Sequence, residues 1–151
     1  MIRALIDTNV ILDAILRRDE FTRLARLLVR KHEEKRFQGF VSASAITDVY
    51  YIVEKERKRE FALLAIKKIL RVLTVIPVNV GIIVEAVSSP MDDFEDAVQV
   101  AAAKNCGIDI VVTRDKLGFH NSDLSQFRLA SLFTGGIFGN TQMTYLIYNL
   151  P

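Results

Sequence analysis

The stretch Ile2-Arg3-Ala4-Leu5-Ile6-Asp7-Thr8-Asn9-Val10-Ile11-Leu12-Asp13 decides how this chain is read. An apolar run from Ile2 to Ile6 stops at a carboxylate, Asp7, and a helical pattern begins two residues later. The run is too continuously apolar for a half-exposed strand, which would alternate, so it predicts a strand buried on both faces. Asn9 to Leu16 places Val10, Ile11, Ala14 and Ile15 on one side of a short helix. Asp7 therefore stands at the carboxyl end of a buried strand, where a helix starts.

The same grammar recurs downstream. A second helix is expected from Asp19 or Thr22 to about Arg36, ended by Gly39, with a short strand over Phe40-Val41-Ser42-Ala43. Ser44 is the expected N-cap of a helix through Ile46, Val49, Tyr50 and Val53. The charged residues 54–60 mark a junction, and Phe61 to Leu73 continues as a helix. Val72 to Val78 reads as a third strand and Val80 to Val87 as a short helix. Asp92 or Asp93 opens a helix through Phe94, Ala97, Val98, Ala101 and Ala102, which Gly107 stops. Ile108 to Val112 is a fourth apolar strand, delivering Thr113-Arg114-Asp115, and Gln126 to Ala130 suggests a fifth. Strands alternating with helices imply parallel crossovers, hence a single-domain three-layer α/β/α sandwich around a parallel sheet.

Length suits one domain: 151 residues, half of them hydrophobic and a quarter charged. The net charge of +2 does not by itself point to nucleic acid, but its distribution is uneven. Residues 17–36 hold eight Lys/Arg against four Asp/Glu and residues 54–71 seven against three, whereas 85–123 hold eight Asp/Glu against three Lys/Arg. That asymmetry suits an anionic polymer held beside a cation site, and equally suits solvated helix faces. Cys106 is the only cysteine, so no internal disulfide is expected. No leader-like or membrane-spanning run is apparent, and a cytoplasmic location is the expectation.

In open parallel sheets, sites form beyond the carboxyl ends of strands. If the first and fourth strands are neighbours, Asp7 and Asp115 share one crevice. Asp48, in Ile46-Thr47-Asp48-Val49, and Asp96, in Phe94-Glu95-Asp96-Ala97, are the helix-borne candidates. Buried carboxylates crowd unfavourably unless a cation compensates them, and an all-oxygen donor set suits Mg²⁺ or Mn²⁺ rather than zinc. Thr8, Asn9 and Thr113 are candidates for holding the carboxylates in place. Plainer roles compete for each residue. Asp7 can cap a helix, Asp92 and Asp93 can complement a helix dipole, Asp96 can pair with Lys104, and Asp115 can pair with Arg114. Asp13 reads as structural.

At these residues the sequence resembles the PIN domain family, the ribonuclease fold of VapC-type toxins. Leu5-Ile6-Asp7-Thr8-Asn9-Val10, Phe94-Glu95-Asp96-Ala97-Val98-Gln99 and Val111-Val112-Thr113-Arg114-Asp115 follow three family motifs in order. The resemblance covers about residues 2–120. It implies a divalent-metal endoribonuclease using Asp7, Asp48, Asp96 and Asp115 as metal ligands and catalytic acids. It also implies an RNA substrate, a small antitoxin protein as partner and a homodimer. The second motif departs, since most members carry Glu where this chain has Asp48, one methylene shorter. A PIN-like domain is thus expected over 1–128. Residues 129–151 carry no charge, do not follow the family pattern, and are expected to pack on the core or on a second subunit. The alternative function is an RNA- or protein-binding module with weakened catalysis; a receiver-like domain ranks lower, because the second strand ends in Ser42-Ala43-Ser44.

Overall fold

The computed structural model describes residues 2–16, 26, 29–31, 33–35, 37–115 and 117–128. Five strands form one wholly parallel sheet: β1 (Ile2–Ile6), β2 (Phe37–Ser42), β3 (Thr74–Ile76), β4 (Ile110–Thr113) and β5 (Ser125–Arg128), ordered β3-β2-β1-β4-β5. Helices with both ends among the described residues are α1 (Thr8–Leu16), α2 (Ala43–Arg57), α3 (Arg59–Val72), α4 (Val80–Val87) and α5 (Phe94–Asn105). Most of the helix expected between Asp19 and Arg36, and all of the uncharged tail 129–151, lie outside the described residues.

β1 is central because its carboxyl-terminal half is closed to water: Ala4, Leu5 and Ile6 are at most 2% exposed. Successive side chains of a strand point to opposite faces. Ala4 and Ile6 accordingly join Val10, Ile11, Val49, Val53, Ala62 and Ile69 in one core, against α1, α2 and α3. Leu5 points the other way, with Phe40, Ile82, Ala97, Ala101, Val111 and Phe119, under α4 and α5. The two cores make the three-layer α/β/α sandwich that the sequence pattern predicts. Leu5 pairs with Phe40 on one side and Val111 on the other, so β1 and β4 are neighbours and their carboxyl ends lie together.

Several local expectations shift. Gly39 does not end a helix; it lies inside β2, which begins at Phe37. A Cβ there would meet the Leu73 side chain at 2.6 Å, so the glycine makes room for Leu73 to pack across the strand. The N-cap of α2 is Ser42, whose hydroxyl accepts from the Ala45 amide at 3.1 Å, while Ser44 lies within the helix and its hydroxyl pairs with that of Ser42. The expected junction over residues 54–60 narrows to Lys58, at φ 73°, between α2 and α3. β3 is only three residues long, Thr74–Ile76, because Val72 still belongs to α3 and Leu73 is its C-cap. β4 begins at Ile110 rather than Ile108, and β5 spans Ser125–Arg128 rather than Gln126–Ala130.

One buried group stands apart. Gln99 on α5 is 0% exposed, and neither its amide oxygen nor its nitrogen finds a hydrogen-bond partner among the described residues. An unsatisfied buried amide costs about 1–3 kcal/mol. Gln99→Met keeps the length and removes the polar atoms. It is expected to stabilise the fold by about 1 kcal/mol, seen as a rise of about 2–4 °C in the melting temperature. A lower melting temperature would show that the amide is satisfied in solution.

Candidate functional site

Asp7 follows β1 directly, and its amide donates to the Val112 carbonyl of β4 at 3.0 Å. The sheet thus carries the carboxylate into the interior, where Asp7 is only 2% exposed. Thr113, the last residue of β4, donates its hydroxyl to Asp7 Oδ2 at 2.8 Å, and the Asn9 amide approaches Asp7 Oδ1 at 3.4 Å. Burial pushes the Asp7 pKa up; the Thr113 and Asn9 hydrogen bonds pull against it. Burial prevails, because a lone carboxylate loses more hydration than a few neutral donors return.

Thr113 serves two carboxylates. Its hydroxyl oxygen also accepts from the Asp115 amide at 2.9 Å, and Asp115 Oδ1 in turn accepts from the Leu117 amide at 2.9 Å. The segment after β4 therefore folds back on itself and presents Asp115. Gly118 ends that turn. A Cβ at Gly118 would lie 2.8 Å from Asp96 Oδ2 and 2.9 Å from Asp115 Oδ2. Glycine is what lets the backbone pass between these two acids.

α5 supplies Asp96 from its first turn. Asp93 is the N-cap, its side chain accepting from the Asp96 amide at 3.1 Å, and the next residues, Phe94, Glu95 and Asp96, stand on the opening turn. The pKa of Asp96 is raised to about 7, first by burial and then by the charges of Asp7, Asp93, Glu95 and Asp115. That list joins β1, α5 and the turn after β4 in one negatively charged crevice. The sequence placed Asp7, Asp96 and Asp115 in it, and the structure brings those three together.

Asp48 sits on α2, half-buried, and meets the crevice through Glu95. Glu95 rises to about 7 from burial and from the charge and hydrogen bond of Asp48, while Thr8 donates to Glu95 Oε1 at 3.4 Å. Thr8 thus supports Glu95, not one of the four aspartates. Glu95 was not among the sequence candidates. The sign was its position beside Asp96 on the first helical turn, which puts two carboxylates at one helix start. Asp96 does not pair with Lys104, which instead meets Asp123 at 2.8 Å and Glu85 at 3.8 Å. Arg114 pairs with Asp13, not with Asp115. Among the described residues, no three His, Cys, Asp or Glu side chains stand as a ready-made coordination set.

Comparison with known proteins gives this arrangement its relatives. The PIN domain model matches residues 3–117. Over 127 residues the chain is 28% identical to ribonuclease VapC1 of Aquifex aeolicus, spanning 81% of this chain and 87% of that protein. VapBC2 from Rickettsia felis, solved bound to a DNA fragment from its promoter, superposes with a TM-score of 0.64 at 18% identity, over 85% of this chain and 98% of that one. Mycobacterium tuberculosis VapC20, described as a sarcin-ricin loop cleaving toxin, gives a TM-score of 0.58 at 17% identity, over 72% and 86%. The DNA-bound VapBC of Salmonella typhimurium gives 0.61 at 15%, over 85% and 99%. At such identities the solved structures speak for the fold alone. Among the described residues no helix is long and apolar enough to cross a membrane. With the family model matching more than half of the chain, and with the parallel sheet and its strand-end acids in view, this chain belongs to the PIN domain family.

Proposed function

We propose that this protein is a divalent-metal-dependent endoribonuclease, the toxin of a toxin–antitoxin pair, with Asp7, Asp48, Asp96 and Asp115 as its metal-binding acids. The observation that carries the reading is the crowding of Asp96 by Asp7, Asp93, Glu95 and Asp115 at the carboxyl ends of β1 and β4. Carboxylates gathered so closely call for a cation, and their oxygen donors suit Mg²⁺ or Mn²⁺. The fit lies in charge and donor type.

Each residue has a definable task. Thr113 and the Asn9 amide hold Asp7 in one orientation, and the Leu117 amide holds Asp115. Thr8 steers Glu95 toward Asp48, whose shorter side chain is thereby extended by a second acid. A bound divalent ion would supply an activated water and neutralise charge on the scissile phosphate. Exposed Arg57, Lys58, Arg59, Lys67, Lys68 and Arg71 are candidates for holding the RNA backbone. The relative named a ribonuclease, and the neighbours solved as VapBC assemblies, support RNA as substrate and a small antitoxin as partner. A homodimer belongs to the same reading.

A second reading is a PIN-like binding module with weakened catalysis. It is favoured by the shortened acid at Asp48 and by the lack of a ready-made coordination set among the described residues. One assay separates the two. The purified chain is incubated with structured RNA and Mg²⁺, Mn²⁺ or chelator, beside Asp7→Asn. Cleavage that needs the metal and disappears in Asp7→Asn supports the nuclease. RNA retention without cleavage, equal in both proteins, supports the module.

A further inference from the structure

We propose that the buried Asp13–Arg114 ion pair is a positioning device that holds the turn bearing Asp115 against the acidic crevice. Its catalytic consequence rests on the nuclease reading above. Asp13 lies on α1 among Val10, Ile11, Leu12 and Leu16 and is 1% exposed. Its Oδ1 lies 3.2 Å from Arg114 Nη1, and the Arg114 side chain is 28% exposed.

A carboxylate at such a place is a poor source of stability. Removing two charges from water costs about what their attraction returns, and apolar residues of similar size often do as well. What a charged pair adds over an apolar contact is a tie between two specific groups, here 3.2 Å apart. The tie matters at Arg114 because of its neighbours. Thr113 before it joins Asp7 Oδ2 to the Asp115 amide, and Asp115 after it is held by the Leu117 amide. Arg114 is therefore the centre of the turn that leaves β4. α1, which starts at Thr8 immediately after Asp7, reaches the same turn again through Asp13. Two linkages, Thr113 to Asp7 and Arg114 to Asp13, tie the Asp115 turn to the β1–α1 unit. With only the first, the turn is held at Thr113 alone; with both, it is held at two consecutive residues.

The pair also limits what Arg114 does at the site. Its charge is paired with Asp13 at 3.2 Å. Arg114 thus acts through Asp115.

The test uses the full chain in three forms: wild type, Asp13→Asn, and the double variant Asp13→Asn with Arg114→Met. The double variant leaves no buried charge without its partner, so it keeps the experiment interpretable if the single one unfolds. Amide hydrogen exchange is read at Asp115 and Leu117 against Leu5 and Val112 as internal references. Cleavage of a model RNA and Mn²⁺ affinity by calorimetry are read on the same samples. The expected result is faster exchange at Asp115 and Leu117 only, with kcat about tenfold lower and KM unchanged, similar in both variants. Mn²⁺ affinity should fall by a comparable factor. Exchange that is unchanged, or faster equally at all four amides, overturns the proposal and leaves the pair as ordinary structure. If the wild type neither cleaves RNA nor binds Mn²⁺, the nuclease reading falls, and the exchange pattern still decides whether the pair orients the turn.

Discussion

Asp96→Asn is expected to make the protein more stable and almost inactive at the same time. The carboxyl of Asp96 titrates at about 7 in the fold against 3.8 as an isolated group, first because it is buried and then because four acids surround it. A raised carboxyl pKa means that the folded state holds its proton more tightly than the unfolded chain. Stability therefore falls as pH rises from the unfolded value to about 7, the cost is complete above that, and it vanishes below 3.8. Discounted for partial exposure, the cost is about 1–2 kcal/mol. The dipole benefit of an acid in the first turn of α5, about 0.3–1 kcal/mol, offsets only part of it. Asp96→Asn should then melt about 2–4 °C higher than wild type near pH ~8, and the difference should shrink near pH ~5 and close only below 3.8. RNA cleavage should fall by about a hundredfold or more, the usual scale for losing one charge-stabilising group in a catalytic site. Paired melting curves and cleavage rates check both halves. A variant that melts lower at both pH values contradicts the crowding, and one that cleaves normally removes Asp96 from the site.

The same electrostatics predict how divalent ions act on the wild type. Mn²⁺ or Mg²⁺ binds the ionised cluster, so each should raise the melting temperature near pH ~8 and have little effect near pH ~5, where Asp96 and Glu95 hold protons.

The second large effect is steric. Gly118→Val adds atoms where a single Cβ would already sit 2.8 Å from Asp96 Oδ2 and 2.9 Å from Asp115 Oδ2. Side-chain carbons essentially never come that close to oxygen, and the obstacle is the ends of two carboxylates, of which Asp115 accepts from the Leu117 amide. The acids must move apart or the turn must open. Cleavage should fall by about a hundredfold, the size of loss that misplacing reacting groups by about 1 Å produces. Gly118 is half-exposed and outside the two cores, so the melting temperature should change little. Gly118→Ala should give a smaller loss in the same direction. Unchanged activity in Gly118→Val would show that Asp96 and Asp115 need not act together.

Much of this was visible in the chain's pattern, for a definite reason. Ala4-Leu5-Ile6 and Ile110-Val111-Val112 are apolar without alternation, as a strand covered on both faces needs. Asp7 follows the first directly and Asp115 stands three residues after the second, and a parallel sheet sends all such ends to one side. The edge elements were less legible. Phe37, Gln38 and Gly39 look like the end of a helix because glycine is a common stop, yet a glycine also serves where another side chain must cross a strand, as Leu73 does. The N-cap of α2 moved from Ser44 to Ser42 because the serines alternate, and only the hydroxyl facing the Ala45 amide can cap.

By itself, the sequence determined the α/β class, the parallel crossovers and the placing of Asp7 and Asp115 after apolar strands, since these follow from periodicity and local propensity. Only the tertiary structure decided the company each acid keeps. Glu95 meets Asp48 across two helices, Gly118 threads between Asp96 and Asp115, and Arg114 turns to Asp13, about a hundred residues away in the chain. Such contacts depend on how elements are oriented in space, and a helix or strand pattern specifies which face is buried without specifying what the face will touch.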